Sequence, residues 1–123
     1  PEMEKDGGGS IILVASQLGR VARPGRPWYC GAKGGLINMA RAIALDHAKQ
    51  GIRCNALSPG PIETDRYVSN FDNVEHAREN NFTLFERLGL PEEISPGAVF
   101  LASDESSFMT GSDLLIDGGF TAV

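Results

Sequence analysis

Three short apolar runs separated by longer stretches of helical periodicity set the strongest limit on what this chain can fold into. "SIILVAS" is a β-branched run bounded by glycines on one side and "QLGRVARPGRP" on the other, and it predicts a buried strand from Ile11 to Ala15. From Trp28 to Gln50 the apolar residues Leu36, Ile37, Ala40, Ile43, Ala44 and Ala48 recur at threes and fours. With Gly51 as a C-terminal stop, that spacing predicts a long helix. "IRCNALSP" reads as a second strand, ended by Pro59 and Gly60. "PEEISPGAVFLAS" predicts a second helix opening on Pro91 and two acids, with Pro96 expected either to delay it or to kink it. "DLLIDGG" is a third short strand after a "TGS" turn. Strand, helix, strand, helix, strand is the alternation that builds a parallel sheet, here expected with right-handed crossovers. Residues 61–90 have a looser pattern in which "NVEHAREN" and "FTLFERLG" suggest short helices, and we read residues 65–90 as a mobile flap.

Composition narrows the function classes. The 123 residues, 41% hydrophobic and 22% charged, suit one compact domain that buries somewhat under about 70% of its unfolded surface. A formal net charge of −5 argues against a general binder of nucleic acid or anionic membranes. No apolar run approaches the roughly 20 residues of a membrane span, and "PEMEKDGGGS" is too polar for a signal peptide, so a cytoplasmic location is the default expectation. Cys30 and Cys54 each fall in a regular element and are expected to be free thiols in a reducing compartment. The chain opens on Pro1 without an initiator Met and is expected to be a fragment or a trimmed product.

Within "WYCGAK", Tyr29 and Lys33 stand four residues apart, which puts both on one face of a helix. A cation held near a phenol favours the phenolate and readies it for proton exchange. Other features have plainer readings. "DGGG" at 6–9 precedes a strand instead of opening a helix, so it reads as a turn and not as a phosphate cradle. His47 and His76 have no Cys, His or acid at metal-ligand spacing and read as solvated or packed helix positions. Arg20, Arg23 and Arg26 cluster in one loop; solvated loop charge is the default reading, attraction of an anionic substrate the alternative.

Tyr29 and Lys33 have company. Ser16 stands at the end of the first strand, where functional side chains of parallel α/β sheets gather, thirteen residues before Tyr29. A Ser at a strand end, a Tyr-x-x-x-Lys opening the next helix, "NALSPGPIET" after a second strand and "DGG" after a third together resemble the short-chain dehydrogenase/reductase family over nearly the whole chain. The resemblance implies an α/β fold, a Rossmann-like doubly wound parallel sheet of which this is the C-terminal half (β-α-β-α-β). It implies that Ser16 donates a hydrogen bond to the substrate oxygen, that Tyr29 is the proton donor or acceptor, and that Lys33 tunes Tyr29 and holds the nicotinamide ribose of NAD or NADP. Pro59 and Gly60 would flank the nicotinamide, the Ile62 backbone would meet its carboxamide, and Thr64 would reach toward the carboxamide or the pyrophosphate. The enoyl-reductase branch is disfavoured, because it spaces its Tyr and Lys more widely than the three intervening residues here. Gly31 and Ala32 stand where the family often has Ala-Ser, which removes a hydroxyl but no principal role.

The family's glycine-rich pyrophosphate turn, the residue that chooses NAD or NADP and the catalytic asparagine have no counterpart in the sequence. The expectation is therefore the catalytic and substrate-binding half of an oxidoreductase for a secondary alcohol or its ketone. Its partners would be the N-terminal half of the same enzyme and further copies in a homodimer or homotetramer, with no nucleic acid and no membrane. Alone, the chain is expected to self-associate through the apolar edge of its first strand and to bind no cofactor. Two other readings stay open. One is a non-catalytic oligomerisation or binding module using the small-residue face of Gly34, Ala40, Ala44 and Ala48; the other is a related epimerase or lyase using the same Tyr and Lys.

Overall fold

A computed structural model describes residues 2–123. A four-residue helix, α1 (Glu2–Lys5), comes first; its Lys5 ammonium meets the Glu2 carboxylate at 2.9 Å, and nothing in the sequence pattern announced it. The "DGGG" stretch then turns into β1 (Gly9–Val14), as expected of a turn that precedes a strand. β1 starts two residues before the predicted Ile11 because Gly9 already pairs with Ile52, and it ends one before Ala15 because the chain bends into a 3₁₀ turn over Gln17–Gly19.

Helix α2 (Pro27–His47) starts on a proline, whose missing N–H needs no partner in a first turn. It tightens to 3₁₀ over Ala48–Gln50 and stops at Gly51, which takes the left-handed conformation (φ 72°) that a side chain resists. β2 (Ile52–Pro59) has the predicted bounds. In the flap, α3 (Asp65–Val68) is capped by the Thr64 hydroxyl and α4 (Val74–Glu79) by the Asn73 amide. The helix expected in "FTLFERLG" does not form. Phe82 and Glu86 both have φ of 55°, and the Thr83 hydroxyl closes a turn by donating to the Arg87 carbonyl at 2.8 Å. α5 (Pro91–Ala102) starts where predicted, with Leu90 N–H donating to Glu93 Oε2 at 2.8 Å, and it runs through Pro96 without a delayed start. β3 (Asp113–Ile116) completes the set.

The sheet is parallel throughout, in the order β1-β2-β3. Alternation along the strands builds two layers. Ile11, Leu13, Cys54 and Ala56 face α2 and form the core with Ile37, Ala40 and Ala44. Leu57, Leu114 and Ile116 face the other way, toward Gly97 of α5. Both crossovers step in the same direction across a parallel sheet, yet their helices lie on opposite faces. The two connections therefore have opposite hands, and the expectation of two right-handed crossovers is corrected.

The small-residue face of α2 is likewise not free. Ala40 and Ala44 are buried, at 0% and 5% exposure, because only methyl-sized side chains let the helix come close to Cys54 and Ala56. Among the described residues no helix is long and apolar enough to cross a membrane.

Candidate active site

The predicted site residues gather at the carboxyl end of the sheet. Ser16 is buried and caps the 3₁₀ turn: Leu18 N–H donates to its oxygen at 3.2 Å, and its own hydroxyl donates to Gln17 Oε1 at 2.7 Å. This turn packs directly on α2. A Cβ on Gly19 would stand 2.8 Å from the backbone carbonyl of Lys33, so only glycine permits the approach.

Lys33 is held from the other side as well. Its ammonium donates to the Val14 carbonyl at 2.8 Å. Ala15 N–H bonds Leu57 O, so strand alternation turns the Val14 carbonyl toward the edge of β1 that faces away from β2. One of the three ammonium donors is used in this way, which leaves two. Lys33 Nζ lies 5.7 Å from the centroid of the Tyr29 ring, one helical turn nearer the start of α2. Tyr29 is half-buried, and its hydroxyl has no hydrogen-bond partner among the described residues. Backbone packing thus brings Ser16, Tyr29 and Lys33 to one end of the fold.

The "PGPIET" segment leaves β2 beside them. Gly60 is required by packing: a Cβ there would lie 2.5 Å from the Asp117 Cα. Ile62 forms an isolated parallel bridge with Gly89, in which Gly89 N–H donates to Pro61 O at 3.0 Å and Glu63 N–H to Gly89 O at 2.8 Å. That bridge uses the backbone of Ile62's neighbours, so Ile62's own N–H and C=O stay without partners among the described residues. The Thr64 hydroxyl accepts from Tyr67 N–H at 3.2 Å and keeps its proton available to donate. A cleft lined by Pro61, Ile62, Thr83, Phe85, Arg87 and Asp117 opens next to this segment and takes in none of Ser16, Tyr29 and Lys33.

These groups suit the nicotinamide end of a dinucleotide. A backbone donor and acceptor free on one residue match a carboxamide, and a two-donor ammonium matches ribose hydroxyls. Among the described residues no glycine-rich turn joins a strand to a helix to cradle the pyrophosphate.

Two features of the site escaped sequence reasoning. Gln17, buried beside Ser16, accepts the serine proton, and adjacency in sequence was its only signal. Arg20, expected to be solvated, instead bonds Asp113 with Nε to Oδ2 at 2.6 Å and Nη2 to the backbone carbonyl at 2.9 Å, while the buried Ser58 hydroxyl donates to the other carboxylate oxygen at 2.6 Å. His47 meets Gln50, and His76, read as having no acid at ligand spacing, lies 3.3 Å from Asp72 one helical turn before it. Cys30 and Cys54 are free thiols as expected, the latter with its pKa pushed up by burial.

Known proteins resemble this chain in sequence and fold. A family model described as enoyl-(acyl carrier protein) reductase matches residues 1–121. An uncharacterized oxidoreductase of Bacillus subtilis, YxbG, is 45% identical over 95% of this chain and 45% of its own length. The 3-oxoacyl-[acyl-carrier-protein] reductase FabG of Chlamydia trachomatis is 40% identical over 95% of this chain and 47% of its own. A solved short-chain type dehydrogenase/reductase from Mycobacterium marinum superposes with a TM-score of 0.89 at 37% identity, covering 98% of this chain and 48% of that one. A 4-hydroxyisoleucine dehydrogenase solved with NADH superposes at 0.79 with 36% identity, over 94% and 47%. The chain spans about half the length of the curated relatives it matches. The relatives' names cover different reactions, so the shared strands, turn and helix mark a family and not one substrate. By fold, by motif order and by these matches, the chain belongs to the short-chain dehydrogenase/reductase family.

Proposed function

We propose that this chain is the catalytic half of an NAD(P)-dependent oxidoreductase acting on a secondary alcohol or its ketone. The observation that supports the reading is Lys33, whose ammonium is pinned on the Val14 carbonyl at the end of β1 and lies 5.7 Å from the ring of Tyr29, while its backbone packs on the turn that Ser16 caps. In alcohol oxidation Tyr29, as the phenolate, takes the substrate O–H proton as hydride leaves the carbon that bears that oxygen; in ketone reduction the Tyr29 hydroxyl gives its proton to the carbonyl oxygen as hydride arrives at its carbon. Charge that develops on that oxygen is stabilised by the Ser16 hydroxyl and by the Lys33 ammonium nearby. For Ser16 to serve the substrate, its proton swings away from Gln17 while the Leu18 N–H contact holds the oxygen in place. Bound NAD or NADP supplies the hydride chemistry. Lys33 and the backbone of Ile62 would hold its ribose and carboxamide, Pro59 and Gly60 would flank the ring, and Thr64 would donate toward the carboxamide or pyrophosphate.

The pyrophosphate turn would come from a further segment that pairs with the free edge of β1. Exposed Leu45, Val99 and Phe108 support self-association as a homodimer or homotetramer. The small-residue module reading loses its basis, because Ala40 and Ala44 are core.

The test is Tyr29→Phe in the intact enzyme. Turnover of nicotinamide with alcohol should fall on the order of 10² to 10⁴-fold at unchanged folded fraction. Activity equal to wild type would exclude the role.

A further inference from the structure

The loop between Ser16 and Tyr29 carries three arginines that the structure uses differently. Arg20 is committed to Asp113. Arg23 and Arg26 form no ion pair with any acid among the described residues, although the chain as a whole has a net charge of −5. On the flap, by contrast, Arg78 and Arg87 each grip one carboxylate with two hydrogen bonds.

Position separates Arg26 from an ordinary surface cation. It is the N-cap residue of α2, and Arg26, Tyr29 and Lys33 follow at intervals of three and four, which makes them one stripe on one face. Lys33 ends that stripe at β1. Arg26 ends it at the flap, where Nη2 meets Asn70 Oδ1 at a long 3.3 Å. Arg23 reaches the same seam, with its guanidinium carbon 5.6 Å from the centroid of the Phe82 ring. Both cations are thus held only by neutral groups, with most of their N–H donors unused, where the loop before α2 meets the flap. Along the helix axis Arg26 lies about 4.5 Å from Tyr29.

We propose that Arg26, assisted by Arg23, binds a carboxylate on the substrate, which makes the substrate class a short hydroxy acid or oxo acid whose carboxylate lies a few bonds from the reacting carbon. The acid's far end would face the flap, with its carbinol at Tyr29 and Ser16. The substrate class rests on the oxidoreductase reading above; the anion site rests on the arginines alone.

Isothermal titration calorimetry reads occupancy of the site without any turnover. Hexanoate and its neutral counterpart hexanamide are titrated into the intact protein, wild type and the variants Arg26→Gln, Arg26→Lys and Arg23→Gln. Saturable binding of hexanoate is expected, weakened about tenfold or more by Arg26→Gln and less by the other two, with hexanamide at least about tenfold weaker on the wild type. Equal binding of the two probes, indifference to Arg26→Gln, or no saturable response to hexanoate would overturn the site. Tyr29→Phe separates the two claims: it should keep hexanoate binding and lose turnover. Turnover kept in that variant defeats the Tyr29 role alone, no nicotinamide-dependent turnover in the wild type defeats the oxidoreductase reading, and binding of hexanoate that does not depend on Arg26 defeats the anion site alone.

Discussion

Removing Arg20 should cost more than neutralising the acid it binds, although Arg20 is the more exposed partner. The Asp113 side chain is 3% exposed and that of Arg20 is 40% exposed. In Arg20→Gln the buried carboxylate loses both a 2.6 Å charge-assisted bond and its compensating charge, and keeps only the Ser58 hydroxyl. Stripping the partner from a fully buried ion costs about 3–5 kcal/mol, and since water reaches the Arg20 side of this pair the lower end applies, about 3 kcal/mol. Asp113→Asn leaves Arg20 free to hydrate and still offers Ser58 an acceptor oxygen, so its cost is that of a weakened buried hydrogen bond, about 1–2 kcal/mol. In the double variant neither a buried charge nor a broken pair remains, so the loss should fall short of the sum by 1 kcal/mol or more, as expected for directly coupled partners. Urea unfolding of the four proteins, followed by far-UV circular dichroism, measures each term. If Arg20→Gln is within about 0.5 kcal/mol of wild type, or the two losses simply add, then the pair is solvent-screened and does not clamp the Ser16 turn to β3.

Two further outcomes follow from the same geometry. Ala40→Leu should destabilise the fold by about 1–3 kcal/mol or more, because the added atoms enter a fully buried contact between α2 and β2; an unchanged urea midpoint would show that the helix can lift away. Glu93, gripped by Arg87 and by the Leu90 N–H, has its carboxyl pKa lowered from 4.5 to about 2 in the folded state. Its contribution to stability is therefore present above its unfolded value of about 4.5 and is lost as pH falls from there toward about 2. Glu93→Gln should flatten that part of the acid-unfolding curve, and an identical curve would mean that the pair contributes nothing.

The local chemistry of this chain was readable where short-range rules decide the outcome. Strand β2 is a short run ended by Pro59, and α2 starts on Pro27 and is closed by Gly51, so pattern and punctuation agree there. The Tyr29–Lys33 stripe follows from helical spacing alone. Most of what stayed hidden depended on residues far apart in sequence. Arg20 looks like loop charge until Asp113, ninety-three positions on, arrives beneath it. The small residues of α2 read equally as an outer or an inner face, and only contact with Cys54 and Ala56 decides. "FTLFERLG" has helix-forming residues, yet Thr83 and Asn81 hold its backbone in a turn through side-chain bonds that compete with helix. The hand of the second crossover was invisible for a similar reason: nothing in α5 itself names the side of the sheet it will cover.

The bridge between Ile62 and Gly89 makes the flap an exchangeable cassette. Its two ends are hydrogen-bonded to each other, so residues 63–88 leave the scaffold and return at nearly one point. For a loop closed at its base, lengthening is cheap, about 0.6 kcal/mol for each doubling. Recombination or grafting at this base can therefore replace residues 63–88 while the strands, α2 and α5 keep their register. Related chains would then diverge by trading this one segment, with the sheet and α2 inherited unchanged.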